Sequence, residues 1–283
     1  MAATIETTSQ LKGLYPDQSF PSQDIVPDSL ILQVATVTGA PEGDTPQVRV
    51  PYVETDPKVG FVKEGQEIDQ DQPTLNEVLV TTRKLGLVTH QSRESNTYTG
   101  ASGAIATSMQ RAITLKADNI FLNSPTDPTG IRNLEGIIDA GTVTNDFDPF
   151  TDAITGIEAN SGQATGIIMD PASWGVLSKL KYTDGVLQLG SPAVQAQRTL
   201  FGLPVYVTPS MDPGQALVIS QPEIIAAVGM IDLATSTEAA FTSDSIVHRI
   251  TWRLGWNVVH PNRLAKLAIT LPQAPKPGTK TGK

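Results

Sequence analysis

Cysteine is absent from the 283 residues. That removes disulfide staples, thiolate metal sites and cysteine nucleophiles from consideration together. Charge is sparse as well. Asp, Glu, Lys and Arg make up 17% of the chain, against about 25% in an ordinary soluble domain. What charge there is leans acidic, with 29 carboxylates against 20 bases and a formal net charge of -9. Long-range steering of the whole chain toward nucleic acid is excluded by that balance, while a single basic face stays open. No apolar run reaches the length of a membrane span, and no signal peptide opens the chain. Histidine occurs only as His90, His248 and His260, none in a metal-ligand spacing.

The residues that could carry chemistry are not framed for it. Ser92, Ser173 and Ser220 lack the glycine-bounded nucleophile elbow. Glu67, Asp69 and Asp71 lack the glycine and terminal acid of a calcium loop and read as a solvated acidic edge. The tail "PQAPKPGTKTGK" has no GxxxxGK[ST] and follows the last apolar run instead of opening a helix. It reads as a flexible end. No catalytic, cofactor-binding or metal-binding residue is therefore assigned.

What is present is pattern. In "SIVHRITWRLGWNVV", Ser245 to Val259, the residues Ile246, Ile250, Trp252, Leu254, Trp256 and Val258 share one face with His248. Arg249, Thr251, Arg253 and Asn257 take the other, which is the strand period. At about 3.4 Å per residue such a strand reaches roughly 50 Å, nearly three times the common length of about five or six residues. Trp252 and Trp256 share a face as base-stacking aromatics would, but within an apolar row they read as core or interface. His248 reads as a hydrogen-bonded structural residue. A bend is expected at Gly255 and a turn at Pro261, with Arg263–Thr270 returning as the partner strand. On pattern alone this is the last hairpin of any β-rich domain.

Upstream, Met1–Gln23 is polar with Pro16 and Pro21 and reads as an arm. "SLILQVATVT" is ambiguous between helix and strand. "QVRVPYVE" and "LVTTRKLGLVTHQS" read as strands around a polar excursion. Between Glu64 and Glu77 that excursion has five acids and no base. A two-stranded ribbon of this kind is marginal alone and calls for a neighbour. Ser102–Asn123 is the clearest helix, with Ile105, Met109, Ile113, Ala117, Ile120 and Phe121 at helical spacing. Its length is about 33 Å. Thr99 and Ser102 are candidate caps. From residue 130 to 235 the elements mix. A helix over Asp148–Asn160 is capped by Asp148. A buried strand follows, then a helix opened by Asp170 and Pro171 and running to about Lys181. Next come a strand over Gly202–Thr208 and two short apolar runs over Gln215–Gly229. The spine-like helix and the terminal strands bracket this α/β segment, and Ile113 is expected to face the terminal hairpin.

Five strings in this order resemble the major capsid protein family of tailed phages, whose fold was first described for phage HK97. They are "GFVKEGQEIDQDQPTLNEVLVTTRKLGLVTHQS", "DPTGIRNLEG", "IIMDPASWGVLSKLKYTDGVL", "LFGLPVYVTPSM" and "RLGWNVVHPNRLAKLAIT". The resemblance implies an α+β, HK97-like capsid fold. Residues 1–38 would be an N-terminal arm, and 39–129 an extended loop and peripheral platform with the long spine helix. Residues 130–235 would be an axial α/β domain, 236–271 the closing peripheral strands and 272–283 a flexible tail. It implies a shell subunit that assembles as hexamers and pentamers around double-stranded DNA, without sequence-specific binding, without a membrane and without cofactors. Portal and decoration proteins are implied partners, and the protein belongs in the virion capsid, assembled in the host cytoplasm. Some relatives carry a scaffolding region ahead of the arm. The chain here starts with a short arm and Met1, so a separate scaffolding protein is expected. Intersubunit contacts are expected from Lys58, Lys63, Glu64, Glu67, Arg249 and Arg253. Packing is expected from Ile105, Met109, Ile113, Ile120, Trp252 and Trp256. Some relatives join a loop lysine to an asparagine of a neighbour, and Lys58, Lys63, Asn257 and Asn262 are the residues here in the matching regions. An encapsulin-like nanocompartment shell is the alternative reading, and an α/β hydrolytic enzyme a distant third.

Overall fold

The computed structural model describes residues 18–20, 29–39, 47–67, 70–96, 101–182, 184–189 and 198–272. Most of the expected arm and tail, together with Asp69 and Thr99, lie outside these residues. The chain divides into two compact units. One comprises Met1–Asp118 and Ile224–Val259, the other Asn119–Glu223 and His260–Lys283.

The first unit is built on a five-stranded sheet in the order β1 (Gln18–Phe20), β11 (Ile224–Ala240), β12 (Ser245–Val258), β5 (Arg83–Ser92), with β2 (Thr36–Gly39) parallel to β11. The strand β12 pairs on both sides, with β11 and with β5. Its face of Ile246, His248, Ile250, Trp252, Leu254, Trp256 and Val258 is buried throughout. Two residues of β11, Gly229 and Met230, oppose one of β12 at a bulge between the pairs Val228–Leu254 and Ile231–Trp252. The Trp252 indole N–H donates to the Gly229 carbonyl at 3.0 Å, giving that buried acceptor a partner. "SLILQVATVT" resolves into a helical turn, α1 (Leu30–Val34), followed by β2.

A separate two-stranded ribbon joins β3 (Gln47–Thr55) to β4 (Thr74–Thr81). Its base is apolar. Val78 and Val80 pack with Ile225 and Ala227, flanked by Val48, Val50, Tyr52 and Val259. The end of β4 lies against β12 at Gly255. A Cβ there would stand 2.2 Å from the Thr81 carbonyl oxygen. Gly255 is required by this backbone approach.

After β5 a short helix α2 (Arg93–Asn96) precedes the long helix α3 (Ala101–Asn123). The division between units falls within α3, after Asp118. Met109, Ile113, Ala117 and Phe121 form its buried stripe, at the four-residue spacing of one helix face. Ile105 and Ile120 are half-buried.

The second unit carries a six-stranded sheet in the order β6 (Ile138–Val143), β13 (Ala265–Ile269), β10 (Gln215–Ile219), β7 (Gly166–Met169), β9 (Leu203–Val207), β8 (Thr199–Leu200). Phe150, Ala153 and Ile157 of α4 (Asp148–Ala159) and Leu177 of α5 (Pro171–Leu177) pack with Val143, Ile167, Met169, Val218 and Leu267. Asp170 caps α5, accepting from Ala172 N–H at 2.9 Å and Ser173 N–H at 3.1 Å. It also accepts from Gly214 N–H at 3.0 Å and from the Ser173 hydroxyl.

Four sequence expectations are corrected. The last strand does not return against β12. It pairs antiparallel with β10 and parallel with β6, because Ala265, Leu267 and Ile269 supply a buried face to the second unit's core. The run read as the second short apolar segment is the start of β11, a 17-residue strand. The helix at Asp148 is preceded by Phe147 at the cap position, with no side-chain capping bond. The helix at Pro171 ends at Leu177, four residues short of Lys181.

Candidate assembly surfaces

Between β3 and β4 the chain makes an excursion with little internal support. Residues 56–67 and 70–73 carry no helix or strand. A turn closes from Gln66 N–H to the Lys63 carbonyl at 3.0 Å, with Gly65 at positive φ. The Asp71 carboxylate accepts from the Lys58 N–H at 2.7 Å. Lys58, Lys63, Glu64 and Glu67 are all exposed. The apolar residues here are not tucked in. Phe61 is fully exposed, Val59 is 95% exposed and Leu75 is 70% exposed. Three exposed apolar side chains on one ribbon are the mark of a surface awaiting a partner, since an isolated ribbon cannot cover them.

The arginine row of β12 makes its contacts within the chain, although the buried Arg249 Nε has no hydrogen-bond partner among the described residues. Arg249 donates to Asp232 of β11 at 3.0 Å, both side chains being about 40% exposed. Arg253 reaches the Thr82 hydroxyl at 3.5 Å. The two asparagines near the closing segment are also engaged. Asn257 donates to the Leu79 carbonyl at 2.9 Å, at the ribbon's base. Asn262 donates to the Asn160 side chain at 3.1 Å, in the second unit.

Buried polar groups in the first unit hold the sheet and the entry of α1. His248 bridges Thr235 and Gln91, with Nδ1 at 3.1 Å from the Thr235 hydroxyl and Nε2 at 3.0 Å from Gln91 Oε1. The hydroxyl can donate to Nδ1 and Nε2–H to the amide oxygen, which describes a neutral imidazole. Burial holds its pKa below the ordinary histidine value. Asp118 accepts from the Ser29 hydroxyl at 3.2 Å and the Leu30 N–H at 3.1 Å. It thereby caps α1 from a position 88 residues away. Burial pushes its carboxyl up to about 6, with those hydrogen bonds pulling the other way. His248 is the hydrogen-bonded structural residue that its place on the apolar face suggested, whereas Asp118 lay beyond the reach of sequence periodicity because its contact joins distant segments.

In the second unit, Glu223 accepts from Arg263 at 2.6 Å and from His260 at 2.8 Å. A polar groove of about 570 Å³ is lined by Arg132, Asp139, Asp212 and Lys266, already joined as Arg132–Asp212 at 2.6 Å and Lys266–Asp139 at 3.9 Å. Among the described residues no three His, Asp or Glu side chains gather as a metal site. No helix of the described residues is long and apolar enough to cross a membrane.

The model of the phage capsid family matches residues 22–269. Solved structures give the same fold. A Gordonia phage Cozz chain is 17% identical with a TM-score of 0.69, covering 86% of this chain and 87% of its own. The capsid of an empty GTA particle is 15% identical with a TM-score of 0.69, covering 95% and 99%. A Mycobacterium phage Bobi chain is 15% identical with a TM-score of 0.66, covering 93% and 98%. None of the curated proteins matches the chain.

Proposed function

This chain belongs to the phage capsid family, and on that premise we propose that it is a major capsid protein that self-assembles into a closed shell around double-stranded DNA. Hexamers and pentamers are the building units on this reading. The ribbon of β3 and β4 with its excursion is the extended loop, lying over an adjacent copy. The helix α3 is the spine. The first unit corresponds to the peripheral platform and the second to the axial domain. Lys58, Lys63, Glu64 and Glu67 meet a neighbour. Arg249 and Arg253 serve the platform's own sheet before any neighbour. A scaffolding protein assists assembly, and portal and decoration proteins join the finished virion, which forms in the host cytoplasm.

One observation carries this reading: exposed Val59, Phe61 and Leu75 sit on a ribbon whose buried cluster, among the described residues, lies at its base. Interfaces of permanent assemblies bury about 2,000 Å² or more, and an extension of this kind supplies such area only when laid on another copy. Purified protein examined by electron microscopy should show closed particles. Phe61→Ser should leave the subunit's melting unchanged and lower particle yield. A dilution-stable monomer whose extension resists protease would contradict the proposal.

A further inference from the structure

The edges of the sheets are not equally protected. In the first unit one edge is β1, three residues long. In the second unit, β8 has two residues, and β6 pairs with β13 through a register shift near Gly141, itself at positive φ. The ribbon strand β3 carries Pro51, and β4 carries Glu77, which is paired to Arg49 at 2.7 Å. Short length, bulges, proline and charge are the usual devices against edge-to-edge pairing. The strand β5 has none of them over most of its length. It runs ten residues, pairs with β12 without a register shift, and no strand among the described residues pairs with its outer edge. Its cations, Arg83 and Lys84, stand at one end. Its middle, Leu85 to Thr89, is uncharged and β-prone, with Leu87 and Val88 exposed on opposite faces.

We propose that β5 is an assembly edge that pairs antiparallel with β5 of a second copy about a two-fold axis at Leu87. The proposal rests on the shell reading and adds to it a joint that is distinct from the extended loop. A strand that pairs with itself in this way is an isologous contact. In an antiparallel ladder, facing residues present their N–H and carbonyl groups the same way. One residue must therefore lie on the axis. With Leu87 there, Leu85 meets Thr89, Gly86 meets Val88, and Arg83 meets Gln91, so nine residues pair over about 30 Å. Lys84 meets His90. An axis at Val88 would carry the ladder to Ser92, hard against the start of α2, where Arg93 is held by Asp244 at 2.8 Å. An axis at Gly86 would shorten the ladder to seven residues. The central self-pair of Leu87 covers a side chain that is otherwise 38% exposed.

The absence of cysteine makes the test clean. Directly opposed strand residues have Cα atoms about 4.5–5.5 Å apart, within the range a disulfide spans. Oxidation of assembled Leu87→Cys protein should give a non-reducing dimer at twice the subunit mass. His90→Cys, whose mate lies six residues along and about 20 Å away in this register, should stay monomeric on the same gel. Leu87→Lys and Leu87→Glu should each lower particle yield at least about tenfold with subunit melting intact, and a one-to-one mixture should restore it. Monomer from Leu87→Cys, equal dimer from both cysteine positions, or full yield from each charged variant would overturn the proposal. Absence of closed particles from the unmodified chain would instead overturn the shell reading. The 87–87 link can still be scored in whatever oligomers form.

Discussion

Replacing Gly255 with alanine would put a methyl group where β12 meets the end of β4. The new Cβ would lie 2.2 Å from the Thr81 carbonyl oxygen and 2.9 Å from both the Thr81 carbonyl carbon and the Thr82 Cα. All three are backbone atoms, so no side-chain rotation relieves the clash. Either β4 moves off the sheet or β12 bends away. The first choice separates Val78 and Val80 from Ile225 and Ala227, the buried cluster at the ribbon's base. Overpacking of a well-filled site costs about 1–3 kcal/mol, and a backbone obstacle belongs at the upper end. At about 2–4 °C per kcal/mol for a protein of this size, melting should fall by about 6–12 °C. Scanning calorimetry of the subunit, or of capsomers at fixed concentration, reads this directly. Gly175→Ala is the matched control, since its Cβ would enter open space within α5. It should leave melting unchanged or raise it slightly. A Gly255→Ala protein that melts with the unmodified chain would refute the close approach and with it the seating of the ribbon.

Ile113→Ala should cost about 2–5 kcal/mol by opening a cavity on the buried stripe of α3, and unchanged melting would place that stripe elsewhere. His248 has a folded pKa below its ordinary 6.5 through burial. Its stabilisation is therefore complete above about pH 6.5 and is lost as pH falls below that; a pH series of melting temperatures should be flatter for His248→Gln than for the unmodified chain. Asp118 carries the opposite sign, its folded carboxyl standing near 6 against 3.8. Its contribution is present at low pH and lost as pH rises through 6. Asp118→Asn, which keeps an acceptor for the Leu30 N–H, should raise melting at pH 8 and leave it unchanged near pH 3; a lowered melting temperature at pH 8 would show that the carboxylate is the favoured partner.

The strand β12 was legible because its alternation matches one buried face bearing two tryptophans and a row of half-buried arginines. The opening of α5 was legible because Asp170 and Pro171 act within their own turn. The ribbon was visible only in outline: the single strand read over 79–92 is two, β4 ending at Thr81 and β5 starting at Arg83 in the five-stranded sheet, and β4 begins at Thr74 within the acidic stretch taken for a loop. What escaped the sequence depends on distant segments. The strand β11 begins with six consecutive buried residues, Ile224 to Gly229, so no alternation marks it. The partner of β13 was misread because adjacency favoured a hairpin, while Leu267 and Ile269 belong to the other unit's core. Gly255 looked like a bend until Thr81 was placed beside it. Asp118 carried no signal in the sequence, because the Ser29 hydroxyl and Leu30 N–H that it accepts from belong to a distant segment. Lys58, Lys63, Glu64 and Glu67 fall on the exposed excursion, and the contacts proposed for them with another copy leave no trace in a single chain.

Cryo-electron microscopy of the purified protein tests the central claim most directly. Closed shells of hexamers and pentamers, in which each ribbon with its Phe61 lies on a neighbouring copy, are the expected result. Dispersed monomers, or ordered assemblies in which Val59 and Phe61 remain in solvent, would contradict it.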